Sequence, residues 1–252
     1  MFEYLLQIIK GLQINLTLTI TSLLLGLLIA VLFTIILTID LLRQRNEFYD
    51  INIQQDTYSM ISFMSRSIIK IPLLALLVKI YITLFTGTPL LVQIFLIYYG
   101  SGQFPSIHEH PWLWNLLSQP WLCAMIALTL NSAAYSTQLF YGAVRAIPQG
   151  QWKSCIALGM TRTHSLRVLL PFALKQSLTS YSNEVILIFK STSLVYTITL
   201  MEVMGYSQMI YGRTYDIMAF AAAGIIYLCI NGLLVLLMRL IEQYVLVFRY
   251  YN

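Results

Sequence analysis

Glu184 and Lys190 are the residues of this chain best placed to do chemistry, because both lie inside an apolar run, residues 181–201 (YSNEVILIFKSTSLVYTITLM). A charge held within a hydrocarbon layer costs several kcal/mol, so such residues face a bundle interior or a polar path. Six residues of helix advance about 9 Å and about 600°, which leaves these two side chains roughly 120° apart. They are poorly aimed at each other, and each needs a different partner: a neighbouring helix, water or a charged solute. The blander alternative is a snorkelling lysine and an interfacial glutamate.

The elements that carry them follow from composition. Of 252 residues, 58% are hydrophobic and 10% charged. Ordinary soluble domains carry about 25% charged residues, so this chain lacks the polar surface to live in water. Mean hydropathy is +0.75. Several apolar runs approach the roughly 20 residues that span a hydrocarbon core. They are continuous rather than alternating, which predicts helices rather than a barrel. The expected fold is all-α and integral to the membrane, with five spans at about 16–42, 72–99, 121–141, 172–201 and 217–238. The first lacks the short core and cleavage site of a secretion signal and is read as a retained helix.

Lys and Arg fix the expected orientation. Arg43, Arg45, Arg66 and Lys70 lie between spans one and two, and Arg145, Lys153, Arg162 and Arg167 between spans three and four, with Lys175 just beyond. Arg239 and Arg249 follow span five, whereas residues 100–120 hold no Lys or Arg and 202–216 only Arg213. An odd number of spans then puts the N-terminus outside and the C-terminus in the cytoplasm. The net charge of +5 is spread over loops and is no nucleic-acid footprint.

Other chemistry is scarce. Cys123, Cys155 and Cys229 form neither a disulfide framework nor a metal-ligand spacing. His108, Glu109 and His110 are adjacent on an outer loop and do not by themselves close a metal site. No phosphate loop, GxGxxG, HExxH or GxSxG occurs, so uphill movement of a solute would draw on an ion gradient or on another subunit. Tyr98, Tyr99, Trp112, Trp114 and Trp121 read as an aromatic belt. Gly224 and Gly232 read as close helix packing on span five.

The cytoplasmic segment 142–171 is no tether. Pro148 is placed to open a helix, and Trp152, Cys155, Ile156, Gly159 and Met160 recur at i, i+3, i+4, i+7 and i+8. A helix lying on the membrane should show a basic face, and 148–160 holds only Lys153. Docking into a groove on a soluble partner fits better.

This loop resembles the signature cytoplasmic loop of ABC-importer permeases: EAA, three residues, Gly, then a spacer to I-x-LP. The matching positions read Lys153-Ser154-Cys155, Gly159 and Leu169-Leu170-Pro171. Lys153 stands where the family has an acid, and the spacer is slightly short. FTGTPLLVQIFLIYYG (85–100), LNSAAYSTQLFYGAVRAIPQGQW (130–152) and SYSNEVILIFKSTSLVYTITLMEVMGYSQ (180–208) resemble the polar amino-acid permease family, most closely its arginine-importing members. The likeness covers nearly the whole chain except about 43–70. That stretch looks like a polar insertion in the first cytoplasmic loop, read as loop with a short helix at most.

The resemblance implies a single permease domain over 1–252 in a bacterial inner membrane, paired with a second permease subunit or with itself. It implies an extracytoplasmic amino-acid-binding protein and cytoplasmic ATPase subunits. ATP and magnesium sit on those partners, and this chain binds no cofactor or metal and is no enzyme. Arginine or a related amino acid is the expected solute. Glu184 would receive its cationic groups and Lys190 its carboxylate, while Asn131, Thr86, Gly87 and Thr88, with Pro89, match segments that line or shape the pathway. Trp152, Lys153, Cys155, Ile156, Gly159 and Met160 would form the coupling helix. Asn131 has the plainer reading of an interhelical hydrogen bond, and TGTP that of a kink. Two other classes compete: a secondary transporter, which often shows two pseudo-symmetric halves, and a purely structural membrane subunit with no solute site.

Overall fold

The computed structural model describes residues 2–53, 70–105 and 109–246. Among them every regular element is helical and no strand occurs. A short α1 (Phe2–Ile8) passes through a 3-10 turn (Ile9–Gly11) into α2 (Leu12–Ile53). Then come α3 (Lys70–Gly87), α4 (Leu90–Ser101), α5 (Pro111–Leu117), α6 (Pro120–Arg145) and α7 (Gln149–Ala157). The chain closes with α8 (Arg162–Ser191), a 3-10 segment (Thr192–Ile198), α9 (Val203–Thr214) and α10 (Met218–Leu246).

Two stretches, Glu3–Leu42 and Met218–Val245, are long and apolar enough to cross a hydrocarbon core alone. Three further pairs do so only when both halves are taken together: α3 with α4, bent by 103°, α5 with α6, bent by 76°, and α8 continued through its 3-10 segment with α9, bent by 47°. The apolar runs expected from sequence are therefore present, with changed boundaries. The first begins near Glu3 rather than at 16, because the polar Asn15 is buried among other helices instead of marking an end. The run 72–99 is two helices meeting at a sharp corner. Helix α8 starts at Arg162, so Pro171 lies inside it and does not open a span. One lost N–H bond is tolerated there because Leu169 and Ala173, flanking the proline, are packed against Val144 and Ile147. Helix α2 runs on as far as Ile53, eleven residues into the polar stretch 43–70 that the sequence suggests is mainly loop, and 54–69 lie outside the described residues.

Helix α6 is the centre of the bundle and touches α2, α3, α4, α5 and α8. Its buried face is built of small residues, Ala124, Ala127, Ser132, Ala133, Ala134 and Ser136, which let neighbouring backbones approach closely. Leu18 of α2, Ile94 of α4, Leu128 of α6 and Val195 and Ile198 of the 3-10 segment make one core. Ile8, Val203, Ile210, Ala222 and Ile226 make a second, joining α1, α9 and α10. Gly11 lies where the first helix crosses the start of α9; a Cβ there would fall 2.3 Å from the carbonyl carbon of Glu202. The glycines expected to pack in span five behave otherwise. A Cβ at Gly224 or Gly232 would meet nothing within 4 Å, so neither mediates helix contact within this chain.

Candidate solute site and coupling surface

The corner between α3 and α4 strands several backbone carbonyls in an apolar setting, and side chains satisfy them. Pro89 holds an extended conformation (φ −61°, ψ 134°) and starts α4. The Gln93 amide donates to Phe85 O (2.8 Å), Thr88 O (3.0 Å) and Thr88 Oγ1 (2.8 Å). Asn131 of α6 donates to Gln93 Oε1 (3.1 Å) and Phe85 O (3.3 Å). The hydroxyls of Thr86 and of Thr88, just past the helix end, donate back to Ile82 O and Leu84 O of α3. Asn131 is thus committed to pinning the corner, as the plainer reading had it. Gly87 is exposed and keeps ordinary backbone angles.

One turn along α6, Tyr135 connects this corner to Glu184. Its hydroxyl donates to Thr86 O (3.3 Å), and its ring lines a cavity of about 400 Å³. Gln138 and Leu139 of α6 and Thr179, Ser180, Asn183, Glu184 and Leu187 of α8 complete the lining. On each helix these positions recur at three- and four-residue spacing, so each helix gives the cavity one face. Glu184 is only 5% exposed, and among the described residues it makes no hydrogen bond or ion pair. A buried carboxylate without partners is costly unless something else supplies them.

Lys190 lies elsewhere. It opens on a separate cavity of about 400 Å³ with Ser193, Gly224, Tyr227, Leu228 and Asn231. The expected sharing of one solute between Glu184 and Lys190 is therefore not what the fold provides: their 120° offset points one toward α6 and the other toward α10.

A second buried polar cluster is centred on Glu202, and the sequence alone does not single it out. Glu202, fully buried, caps α9 by accepting from Met204 N (2.9 Å) and Gly205 N (2.8 Å). It also accepts from Asn15 Nδ2 (3.0 Å) and the Tyr227 hydroxyl (2.8 Å). Asn15 donates further to Thr192 Oγ1 (2.8 Å), and its carbonyl accepts from Val203 N (3.1 Å). A carboxylate followed by a helical segment is an N-cap signal, but its partners are remote in sequence. An ion pair, Lys79 to Asp40 at 3.2 Å, likewise joins α3 to α2 within apolar runs.

At the opposite end, α7 forms where the apolar stripe predicts a helix, and the stripe divides. Cys155 is buried against Val144, Ile147 and Leu169, with Trp152 and Met160 packed on the same cluster. Ile156 is 56% and Leu158 73% exposed, and Lys153 is exposed beside them. The helix stops at Ala157; Gly159 takes φ +71°, with Gly159 N to Ile156 O at 2.9 Å and Met160 N to Cys155 O at 3.0 Å. This is the left-handed glycine cap in which the residue after the glycine folds back on the helix. Gly159 and Met160 therefore follow the helix rather than continue its stripe.

Trp112 and Tyr99 are exposed at the other end of the bundle. His108 lies outside the described residues, and among those described no group of His, Cys, Asp and Glu has a geometry that would hold a metal. The three cysteines are free.

Comparison with known proteins meets this geometry from outside. The family described as binding-protein-dependent transport system inner membrane component matches residues 60–247. The arginine ABC transporter permease protein ArtM of Escherichia coli (strain K12) is 62% identical over 252 residues, covering all of both chains. The octopine transport system permease protein OccM of Rhizobium meliloti is 46% identical over 166 residues, 65% of this chain and 67% of that one. A crystal structure of an amino acid ABC transporter with histidines superposes with TM-score 0.74 at 24% identity, over 97% of this chain and 96% of that one. A methionine ABC transporter, MetNI, in an inward-facing conformation gives TM-score 0.64 at 15% identity, over 95% and 96%. At such identities these last two speak for the fold alone, a type I ABC permease fold. A family match over most of the chain and full-length identity to a permease leave one conclusion: the chain belongs to the binding-protein-dependent transport system inner membrane components, the permease subunits of ABC transporters.

Proposed function

We propose that this permease carries arginine or a closely related cationic amino acid into the cytoplasm, and that the Glu184 cavity is where the solute is held. The observation carrying this reading is a buried carboxylate, unpartnered among the described residues, facing a mostly apolar cavity of about 400 Å³ to which Gln138, Ser180 and Asn183 also contribute. Ligand sites run from about 300 to 1,000 Å³, so a single amino acid fits. A guanidinium offers a fork of donors matched to a carboxylate, and such charge-assisted pairs are the strong ones. Gln138, Asn183 and Ser180 offer polar groups to the rest of the solute. The relatives named as arginine and octopine permeases support this solute class.

In this reading Lys190 lines a second stretch of the pathway. Asn131, Thr86, Gly87 and Thr88 act indirectly by fixing the corner that holds Tyr135. Five spans, an outer N-terminus and a cytoplasmic C-terminus agree with the distribution of Lys and Arg. Segment 142–171 couples to the ATPase subunits: Trp152, Cys155, Gly159 and Met160 hold α7 against the bundle, while Lys153 and Ile156 face the partner with Leu158. ATP and magnesium are bound by those partners, and this chain binds neither metal nor cofactor. An extracytoplasmic binding protein delivers the solute, and a second permease copy or homologue completes the pore. The whole chain acts as one permease domain, with 43–70 as a polar cytoplasmic insertion.

The test is uptake of labelled arginine into proteoliposomes holding the complete assembly, binding protein and ATP. Glu184→Gln should lower uptake by about 10-fold or more, the effect of losing a hydrogen bond to a charged group, with assembly and basal ATP hydrolysis intact. Unchanged uptake would move the solute to the other permease subunit.

A further inference from the structure

Apart from Tyr227, which borders the Lys190 cavity, the cluster around Glu202 is not used by the solute reading, yet it sits at the end of the helix that carries Glu184 and Lys190. Helix α8 ends at Ser191, and the next residue, Thr192, is fully buried. Its hydroxyl donates to Phe189 O (2.7 Å) and accepts from Asn15 Nδ2 (2.8 Å). The ring of Phe189 meets the ring of Tyr227 edge-on at 5.7 Å. The Tyr227 hydroxyl accepts from Asn15 (3.0 Å) and donates to Glu202 (2.8 Å). The end of α8 is thus bonded to α2 through Asn15 and packed on α10 through Tyr227, and both of these residues donate to Glu202 at the start of α9.

These ties act on rotation. A helix held only by apolar contacts can turn about its axis with little loss. One whose end is fixed by a directional bond to Asn15 and by an edge-on ring contact to Tyr227, both of them held in turn by Glu202, cannot. Glu184 lies about two turns before Thr192, and Lys190 half a turn before it. Rotation of α8 by one residue's worth, about 100°, would carry Glu184 out of the cavity formed with Tyr135 and Gln138. Lys190 would leave the cavity formed with Tyr227 and Asn231.

We propose that Tyr227 and Thr192 are positioning residues for transport: with Asn15 and Glu202 they set the rotation of α8 and so aim Glu184 and Lys190 into their separate cavities. This inference rests on the reading of the chain as an amino-acid-importing permease. Asn15, Thr192 and Glu202 line neither cavity and act through α8; Tyr227 also borders the Lys190 cavity, so Thr192 is the cleaner probe of positioning.

The experiment is the complete transporter in proteoliposomes with binding protein and ATP, scored as arginine taken up per ATP hydrolysed. Tyr227→Phe keeps the ring and removes the hydroxyl that reaches Glu202. Thr192→Val keeps the shape and removes the bond to Asn15, whereas Thr192→Ser keeps the hydroxyl. We expect Tyr227→Phe and Thr192→Val to lower the ratio by about tenfold, as loss of a bond within a buried charged cluster would, while the partner subunits keep hydrolysing ATP. Thr192→Ser should restore the wild-type ratio. Uptake and hydrolysis that fall together, in step with the amount assembled, would mean a structural role only and overturn the proposal. An unchanged ratio in Thr192→Val would overturn it as well, whatever Tyr227→Phe does. A wild-type assembly that moves no arginine would overturn the solute reading itself, a result told apart by the wild-type control.

Discussion

Two buried glutamates sit in this molecule in opposite states. Glu202 receives four donors, Met204 N, Gly205 N, Asn15 Nδ2 and the Tyr227 hydroxyl, and is used as an acceptor by every one. Glu184 has no such set among the described residues and faces open volume. The same substitution should therefore have opposite consequences. In Glu202→Gln the new amide nitrogen would confront donors with a donor, and leaving buried donors unsatisfied costs about 1–3 kcal/mol. In Glu184→Gln a buried charge is removed with no bond lost, so stability should hold or rise. Thermal unfolding of the purified complexes in detergent checks both, with a lowered midpoint expected for Glu202→Gln alone. Much of this contrast is hidden from sequence. Glu184 stands out inside an apolar run, but Glu202 follows such a run and looks interfacial until Asn15, 187 residues earlier, is seen against it.

At the scale of elements, helix α7 is held by one face and offers the other. Its inward face, Cys155 with Trp152 and Met160, keeps it on the bundle, and its outward face carries Ile156 and Leu158. A charge on each face should separate the two roles. Leu158→Asp should weaken the association of the ATPase subunits while the permease still folds; Cys155→Asp should destabilise the permease itself. Gly159→Ala imposes a side chain at φ +71°, at a cost of about 1–2 kcal/mol, and should loosen the cap and lower ATP-driven uptake. Co-purification of the ATPase subunits with each variant is the measurement. The helix itself was legible from its spacing. Its division was not, because the stripe ran past Gly159, and only the left-handed glycine ends the helix before the stripe ends. The corner at Thr88–Pro89 teaches the same lesson. TGTP announces a weak point, but the 103° bend depends on Gln93 and on Asn131 from another helix.

For the whole molecule, the apolar runs and their helical character could be read from composition and pattern, whereas the central place of α6 could not. What could not be read either is that three apolar stretches are each two helices meeting at a bend, the sharpest of them supported by Asn131 from a distant helix. Orientation is the whole-molecule prediction. A reporter fused after residue 252 should be active only on the cytoplasmic side, and one fused before residue 1 only outside; the reverse result would invert the coupling face and the proposed direction of transport.

The remote ties of Asn15 also bear on how the protein is made. Its partners Thr192 and Glu202 are 177 and 187 residues downstream. At synthesis rates of about 5–20 residues per second, the first helix waits on the order of ten to forty seconds with a carboxamide unsatisfied in the membrane. During that interval it must be sheltered by the insertion machinery or by water near the surface. The bundle closes only when the ribosome has passed α9, so a chain truncated before Glu202 should be degraded early, although its first spans are complete.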